Sequence, residues 1–236
     1  MVAPFPYFGG KRRVAELVWE RLGDVNNYIE PFVGSAAVLL ARPHRLVPYQ
    51  VETINDLDGE ITNVWRSIRY DPEGVIDGAD WPVSELDLHA EAERIKRTRE
   101  GFVEWLREDI EHYDAHRAGR WIWGQCGTIG DNFDACKKGI PCIGSKGQGV
   151  HKHAPDLRVC RETIARQIQP LAQRLRAVRV CCGDWTRVLV PSLLARGDSV
   201  GIFLDPPYLE GNQQYAAGGT GTSLAHDVMA WCEQWG

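Results

Sequence analysis

No stretch of the 236-residue sequence reaches the roughly 18 consecutive apolar residues that a membrane-spanning helix needs, which leaves no helical span as the organising feature. The first residues, Met1-Val2-Ala3-Pro4-Phe5-Pro6, lack a basic region followed by an apolar stretch, so no signal peptide is expected. Cysteine is equally uninformative as a framework. There are seven, an odd number, and with no secretory signal they read as reduced thiols of a cytoplasmic protein. Internal repeats and low-complexity tracts are lacking too. The chain does have ordinary globular proportions, 44% hydrophobic and 25% charged, enough for one large domain or one domain with a sizeable insertion.

Net charge is −5, which by itself argues against a polyanionic partner, but its distribution reverses that. Residues 117–187 hold thirteen Lys/Arg and five Asp/Glu, a net of +8 that leaves −13 on the rest. An acidic body with a basic middle suits one face turned to nucleic acid, although basic helices are also simply solvated.

The pattern along the chain predicts an α/β sheet. Asn27–Glu30 is a strand candidate running through Pro31-Phe32-Val33-Gly34 into a helix at Ser35–Ala41. A second strand is expected over Val47–Ile54 and a helix over Asp58–Ile68, with Ile61, Val64, Trp65 and Ile68 on one face. Pro and Gly break the pattern from Asp71 to about Trp81. One helix is expected from Ser84 to about Tyr113, opened by a Ser84/Asp87 capping box. Gly124–Pro155 has no period. A helix from Asp156 to about Ala177, interrupted near Pro170, leads to strands at Val178–Cys182 and Val200–Leu204, and a last helix spans Leu224 to about Gln234.

The strongest chemical signal is Asp205-Pro206-Pro207-Tyr208 at the carboxyl end of the fourth strand, where open α/β sheets hold their ligands. An aromatic amino group is a poor nucleophile because its lone pair is conjugated with the ring. Acceptors aimed at its hydrogens draw the nitrogen toward tetrahedral geometry. Asp205 supplies one acceptor and the Pro206 carbonyl, fixed by the prolines, another. Tyr208 offers a face on which an extruded base stacks. Four weaker signals accompany it. Glu30-Pro31-Phe32-Val33-Gly34-Ser35 gives a glycine turn and a helix N-terminus suited to a carboxylate. Asn55-Asp56 closes the second strand, where an acid holds ribose hydroxyls or caps the next helix. Gly183-Asp184-Trp185 follows the third, with Asp184 suited to an adenine amino group and Trp185 to lining its pocket. Tyr7-Phe8-Gly9-Gly10-Lys11 suits close packing around a cofactor, with Gly10 and Lys11 at its centre.

In this order the motifs resemble the adenine-N6 DNA methyltransferases of the orphan bacterial and phage type, over most of the chain. The resemblance implies a Rossmann-like S-adenosylmethionine-dependent sheet with an inserted, mostly helical target-recognition domain. The catalytic part would then be 1–70 and 176–236, and the insertion 71–175. It implies catalytic roles for Asp205 and Tyr208, and cofactor proximity for Tyr7, Lys11, Glu30, Phe32, Gly34, Asp56 and Asp184. It also implies double-stranded DNA as partner, flipping of the target base, a setting of restriction and modification, and the cytoplasm of a bacterium or phage-infected host. Two departures stand out. Ala36 occupies a position where the family often has a second glycine. Only 28 residues follow Tyr208, where three more strands are expected, so the C-terminus reads as truncated.

Within the insertion Lys137, Lys138, Lys146, Lys152 and Arg158 are candidates for DNA phosphates, and Gln125, Asn132 or Gln148 for base edges. Trp121 and Trp123 read as core or as base wedges. Cys126, Cys136, Cys142, His151 and His153 fit no common zinc spacing, and no metal is expected. A related amino-methyltransferase acting on cytosine N4, RNA adenine or protein glutamine, and a catalytically inactive DNA-binding remnant, are the competing expectations.

Overall fold

The computed structural model describes residues 1–7, 9–43, 50–128, 133, 161–195, 199–206 and 221–235, with backbone alone at 221–223. Four strands form one parallel sheet: β1 (Asn27–Glu30), β2 (Val51–Asp56), β3 (Val178–Cys182) and β4 (Val200–Ile202), in the order β3-β2-β1-β4. Strand β1 is central and buried along its whole length. A buried parallel strand needs cover on both faces, and the period of two divides it accordingly. Tyr28 packs into a large core with the helices, while Ile29 joins a smaller cluster with Trp185, Val188, Leu189 and Val228 on the other side.

The helices are α1 (Ala15–Leu22), α2 (Ala37–Ala41), α3 (Gly59–Tyr70), α4 (Pro72–Ala79), α5 (Glu85–Thr98), α6 (Phe102–Glu108), α7 (Ala115–Gly127), α8 (Arg161–Arg174), α9 (Pro191–Leu194) and α10 (Gly221–Trp235). Helix α3 has the expected start and face: Asp58 Oδ1 accepts from the Glu60 N–H at 2.8 Å, and Ile61, Val64, Trp65 and Ile68 are fully buried. The capping expectation at Ser84 also holds, its hydroxyl accepting from the Asp87 N–H at 3.3 Å.

Several expectations are corrected. Residues 72–79, expected to be irregular, form α4. Pro72 stands in its first turn, where a missing N–H is harmless, and Asp71 caps it by accepting from the Gly74 N–H at 2.9 Å. The long helix from Ser84 to Tyr113 is two, because Gly101 turns to φ 77° and ends the right-handed path between α5 and α6. Helix α8 runs through Pro170 without interruption; the residue is solvent-exposed, so the carbonyl it leaves unbonded meets water. The second strand lies at 51–56, later than expected, and the part of that expectation at 47–49 falls outside the described residues. Helix α1 was not foreseen.

Helices α4, α7 and α8, from the segment expected as an insertion, pack on α3 and share its core with Tyr28, Ile54 and Val178 of the sheet. Helices α4 and α7 meet at glycines. A Cβ on Gly119 would collide with Val75 O and Ala79 N, and one on Gly78 would sit 2.5 Å from His116 O. Main chain lines both sides and cannot swing away. Gly119→Ala is therefore expected to cost about 2 kcal/mol or more, within the overpacking range of roughly 1–3 kcal/mol. Gly127→Ala, whose Cβ would meet only Leu88, at 3.7 Å, among the described residues, serves as the tolerant control in urea unfolding. A buried ion pair adds specificity: Arg117 donates through Nε to Glu60 Oε2 at 2.8 Å and lies over the Phe102 ring at 3.9 Å. Arg117 was counted in the basic middle, but it faces the core.

Candidate active site

Parallel pairing brings all four strand ends to one edge of the sheet, and the chain leaves β1 to one side for β2 and returns on the other as β4. Such a reversal is where open α/β sheets leave a crevice for ligands, here between β1 and β4. Glu30, Asp56, Gly183 and Asp205 all stand at this edge. Strand β4 carries its register past Ile202 by a Phe203 N–H bond to Ile29 O at 3.0 Å, which fixes the approach to Asp205.

Asp205 is about three-quarters buried, and Lys11 Nζ lies 2.6 Å from its Oδ2. Burial raises the Asp205 pKa above the ordinary carboxylate value, and the Lys11 ammonium works against that rise. Lys11 also donates to Gly9 O at 2.6 Å. Its segment is held in place from below: Phe5 packs edge-on to Trp121 at 4.9 Å and against Trp65 at 5.6 Å. Gly10 donates to Tyr7 O at 2.9 Å. The Tyr7 ring lies directly on Gly34, where a Cβ would come within 2.7 Å of Cδ1 and Cε1. The N-terminal segment thus spans the loops after β1 and β4.

The loop after β1 is tied by three neighbours. Trp65 Nε1 donates to Gly34 O at 3.0 Å, Asp56 Oδ2 accepts from the Gly34 N–H at 2.9 Å, and Asn55 Nδ2 donates to Pro31 O at 3.0 Å. The same Asn55 amide reaches Gly183 O at 2.9 Å, so one side chain joins the loops after β1 and β3. Its Oδ1 is buried with no hydrogen-bond partner among the described residues. Burial raises the Asp56 pKa, opposed by N–H groups of Asp58, Gly34 and Leu57. Ala36, where the resembled family favours glycine, is the only non-glycine residue with positive φ among those described, at 52°.

Glu30 does not open onto the crevice. It is 2% exposed, and its Oε2 accepts from Tyr28 Oη at 2.9 Å and from the Leu39 N–H at 3.3 Å. Helix α2 has no side-chain cap from Ala36, so Glu30 satisfies one of its orphan N–H groups from β1. Burial, the leading cause, raises its pKa from 4.5 to about 8. Phe32 and Trp185 face each other at 6.0 Å, and Trp185 is 7% exposed against Trp231. Asp184 is exposed and caps the short turn 185–188, accepting from the Thr186 N–H at 2.9 Å.

Tyr7, Gly10, Lys11, Gly34, Asp56 and Asp205 are thus gathered around one crevice. Phe32, Asp184 and Trp185 flank it from the β3 side, and Glu30 lies beneath. Pro206 is half-buried beside Asp205. Pro207 and Tyr208 lie outside the described residues, as do Lys137, Lys138, Lys146, Lys152, Arg158, Asn132 and Gln148. Gln125 is 4% exposed on α7, among Trp121, Trp123 and Cys126 in the core rather than on a surface open to DNA. The two tryptophans are core residues, at 3% exposure each. Of the cysteines and histidines weighed for zinc, Cys126 alone is described, and it is buried. The tying roles of Asn55, Tyr28 and Trp65 were missed in the sequence. The signal that could have found Tyr28 is its position two residues from Glu30, on the same strand face.

No curated protein matches the chain. The family model described as D12 class N6 adenine-specific DNA methyltransferase matches residues 7–120, which take in every crevice residue up to Asp56.

Proposed function

We propose that the chain acts as a D12 class N6 adenine-specific DNA methyltransferase, the family whose model it matches, and that the crevice between β1 and β4 is where it methylates adenine N6 in DNA. The observation that carries this assignment is the Lys11–Asp205 pair, which sets a partly buried carboxylate at the sheet's switch point.

The donor set fits S-adenosylmethionine. Lys11 is paired with Asp205, and the Asp56 carboxylate remains to balance a cationic sulfonium. Asp56 has both oxygens engaged by main-chain N–H groups, from Gly34 and Asp58, yet each keeps a lone pair for ribose hydroxyls. The orphaned Asn55 Oδ1 is a further acceptor. Gly34 and Tyr7 would hold the methionine end, and Phe32, Asp184 and Trp185 the adenine. When bound, the cofactor supplies an electrophilic methyl group.

Lys11 favours the ionised form of Asp205 through Oδ2 and leaves Oδ1 to accept from the amino group of the target. The Pro206 carbonyl accepts the second amino hydrogen. Tyr208 stacks on the base, which we take to be flipped out of a double helix because an amino group inside a stacked duplex cannot reach a crevice of this kind. Phosphate contacts are assigned to Lys137, Lys138, Lys146, Lys152 and Arg158, target recognition to the 71–175 segment, and the place of action to the cytoplasm of a bacterial cell or infected host, in a setting of restriction and modification. Radiolabelled S-adenosylmethionine incubated with duplex DNA, followed by nucleoside digestion, tests the reading. Label in N6-methyladenine is expected. Label in cytosine or in protein, or no transfer beside intact DNA binding, would sink it.

A further inference from the structure

Away from the crevice, along the side of β3 that has no neighbouring strand among the described residues, lies a pocket of about 420 Å3 between α3, α6 and the turn after β3. Four arginines line it, Arg66, Arg69, Arg107 and Arg187, together with Thr62 and Cys182, and among the described residues no Asp or Glu does. The volume falls within the roughly 300–1,000 Å3 of ordinary small-ligand sites.

Part of this clustering has a structural reason. Val178 O accepts from Arg69 Nη1 at 3.1 Å, and Cys182 O accepts from Arg107 Nη2 at 3.2 Å and Arg187 Nη1 at 2.7 Å, so the guanidinium groups cover carbonyls of an edge strand. Arg66 ties the end of α6 through Leu106 O at 2.7 Å and Ile110 O at 2.7 Å. Covering carbonyls does not require four cations in one cavity. Every one of these bonds is to a neutral main-chain oxygen, and none of the four arginines pairs with a carboxylate among the described residues. A guanidinium has five N–H donors, and Arg69, Arg107 and Arg187 each use one on the chain. The Thr62 hydroxyl, 93% buried, meets nothing better than the weakly bonding Cys182 thiol. Elsewhere several arginines are neutralised: Arg117 with Glu60, Arg174 with Glu52, Arg161 with Glu73.

We propose that the four-arginine pocket beside β3 is a phosphate-binding site, separate from the methyl-transfer crevice. Planar guanidinium forks match phosphate oxygens in pairs, and an oxyanion would relieve the repulsion among the four cations. Strand β3 stands three strand spacings from β4, about 14 Å at 4.8 Å each. A phosphodiester of DNA engaged at the crevice could reach such a site, and so could a free phosphate or nucleotide. The site does not depend on the methyltransferase reading, because the pocket chemistry stands alone.

The test compares wild type with Arg107→Gln/Arg187→Gln, both exposed positions, in two measurements. Pyrophosphate titration by calorimetry is expected to show binding that the variant weakens at least tenfold if the ligand is a free phosphate. If the ligand is the DNA backbone, pyrophosphate binds weakly or not at all. The variant then lowers the slope of log DNA affinity against log salt by about 0.9 for each DNA phosphate that it no longer neutralises. A variant that unfolds as cooperatively as wild type and matches it in both measurements overturns the proposal. Should the double variant fail to fold, Arg187→Gln carries the same comparison, since its exposed side chain makes a single hydrogen bond to the chain.

Discussion

Asp205→Ala is expected to lower the rate of methyl transfer by at least about 10²-fold, the scale found when one preorganised polar group is taken from a reacting centre. Cofactor affinity should stay within a few-fold of wild type, because the groups assigned to the cofactor come from the N-terminal segment, the loops after β1 and β3, and the end of β2. Lys11→Met tests the same pair from the other side. Burial already raises the Asp205 pKa, and Lys11 is what opposes it. Without the ammonium the carboxyl holds its proton to higher pH, and only the ionised form has both oxygens free to accept from an amino group. The acid limb of the rate profile should therefore move toward neutral pH in Lys11→Met. Single-turnover rates across pH, with cofactor affinity measured in parallel, decide the matter. Affinity that falls in step with rate in Asp205→Ala would move Asp205 from the target amino group to the cofactor, and an unmoved acid limb in Lys11→Met would remove Lys11 from control of Asp205.

Residues at strand ends were legible in the sequence because an acid or glycine that closes an apolar run has few places to go. Parallel pairing then assembles Glu30, Asp56, Gly183 and Asp205 without further information. What joins distant segments was not legible. Lys11 and Asp205 lie at opposite ends of the chain, and nothing local to either marks the other as its partner. The arginine pocket is built the same way, from single residues of α3, α6 and the turn after β3. Helix α4 was missed for a different reason. Pro72, Gly74 and Gly78 read as breakers by their backbone preferences, but the proline stands where its N–H is dispensable, and the glycines are there to let α7 close on them. Tertiary packing overrode local propensity at those positions. Glu30 was assigned to the cofactor because it ends β1 beside a glycine turn. Its period-two partner Tyr28 is fully buried, and Glu30 shares that inward face.

That inward carboxyl should make the protein less stable as pH rises, the reverse of the usual behaviour of paired carboxylates. Burial lifts the Glu30 pKa from 4.5 to about 8. Between those values the folded chain keeps a proton that the unfolded chain releases, so folding binds a proton and stability falls with each increment of pH. Below the lower value both states are protonated and the penalty vanishes; above the upper value it is complete. At 1.36 kcal/mol for each unit, an upper bound on the order of 5 kcal/mol follows, a large share of the roughly 5–15 kcal/mol that holds a domain together. Asp58, raised by burial to about 7, acts in the same direction. Glu30→Gln keeps an oxygen to accept from Tyr28 and Leu39 and has nothing to titrate. Its stability should match wild type near pH 4 and exceed it at pH 8, leaving the shallower slope due to Asp58 and the other buried carboxyls. Urea unfolding of both proteins across that range measures the difference directly. Parallel curves would mean that Glu30 stays ionised in the fold, stabilised by Tyr28 and the start of α2 strongly enough to offset its burial.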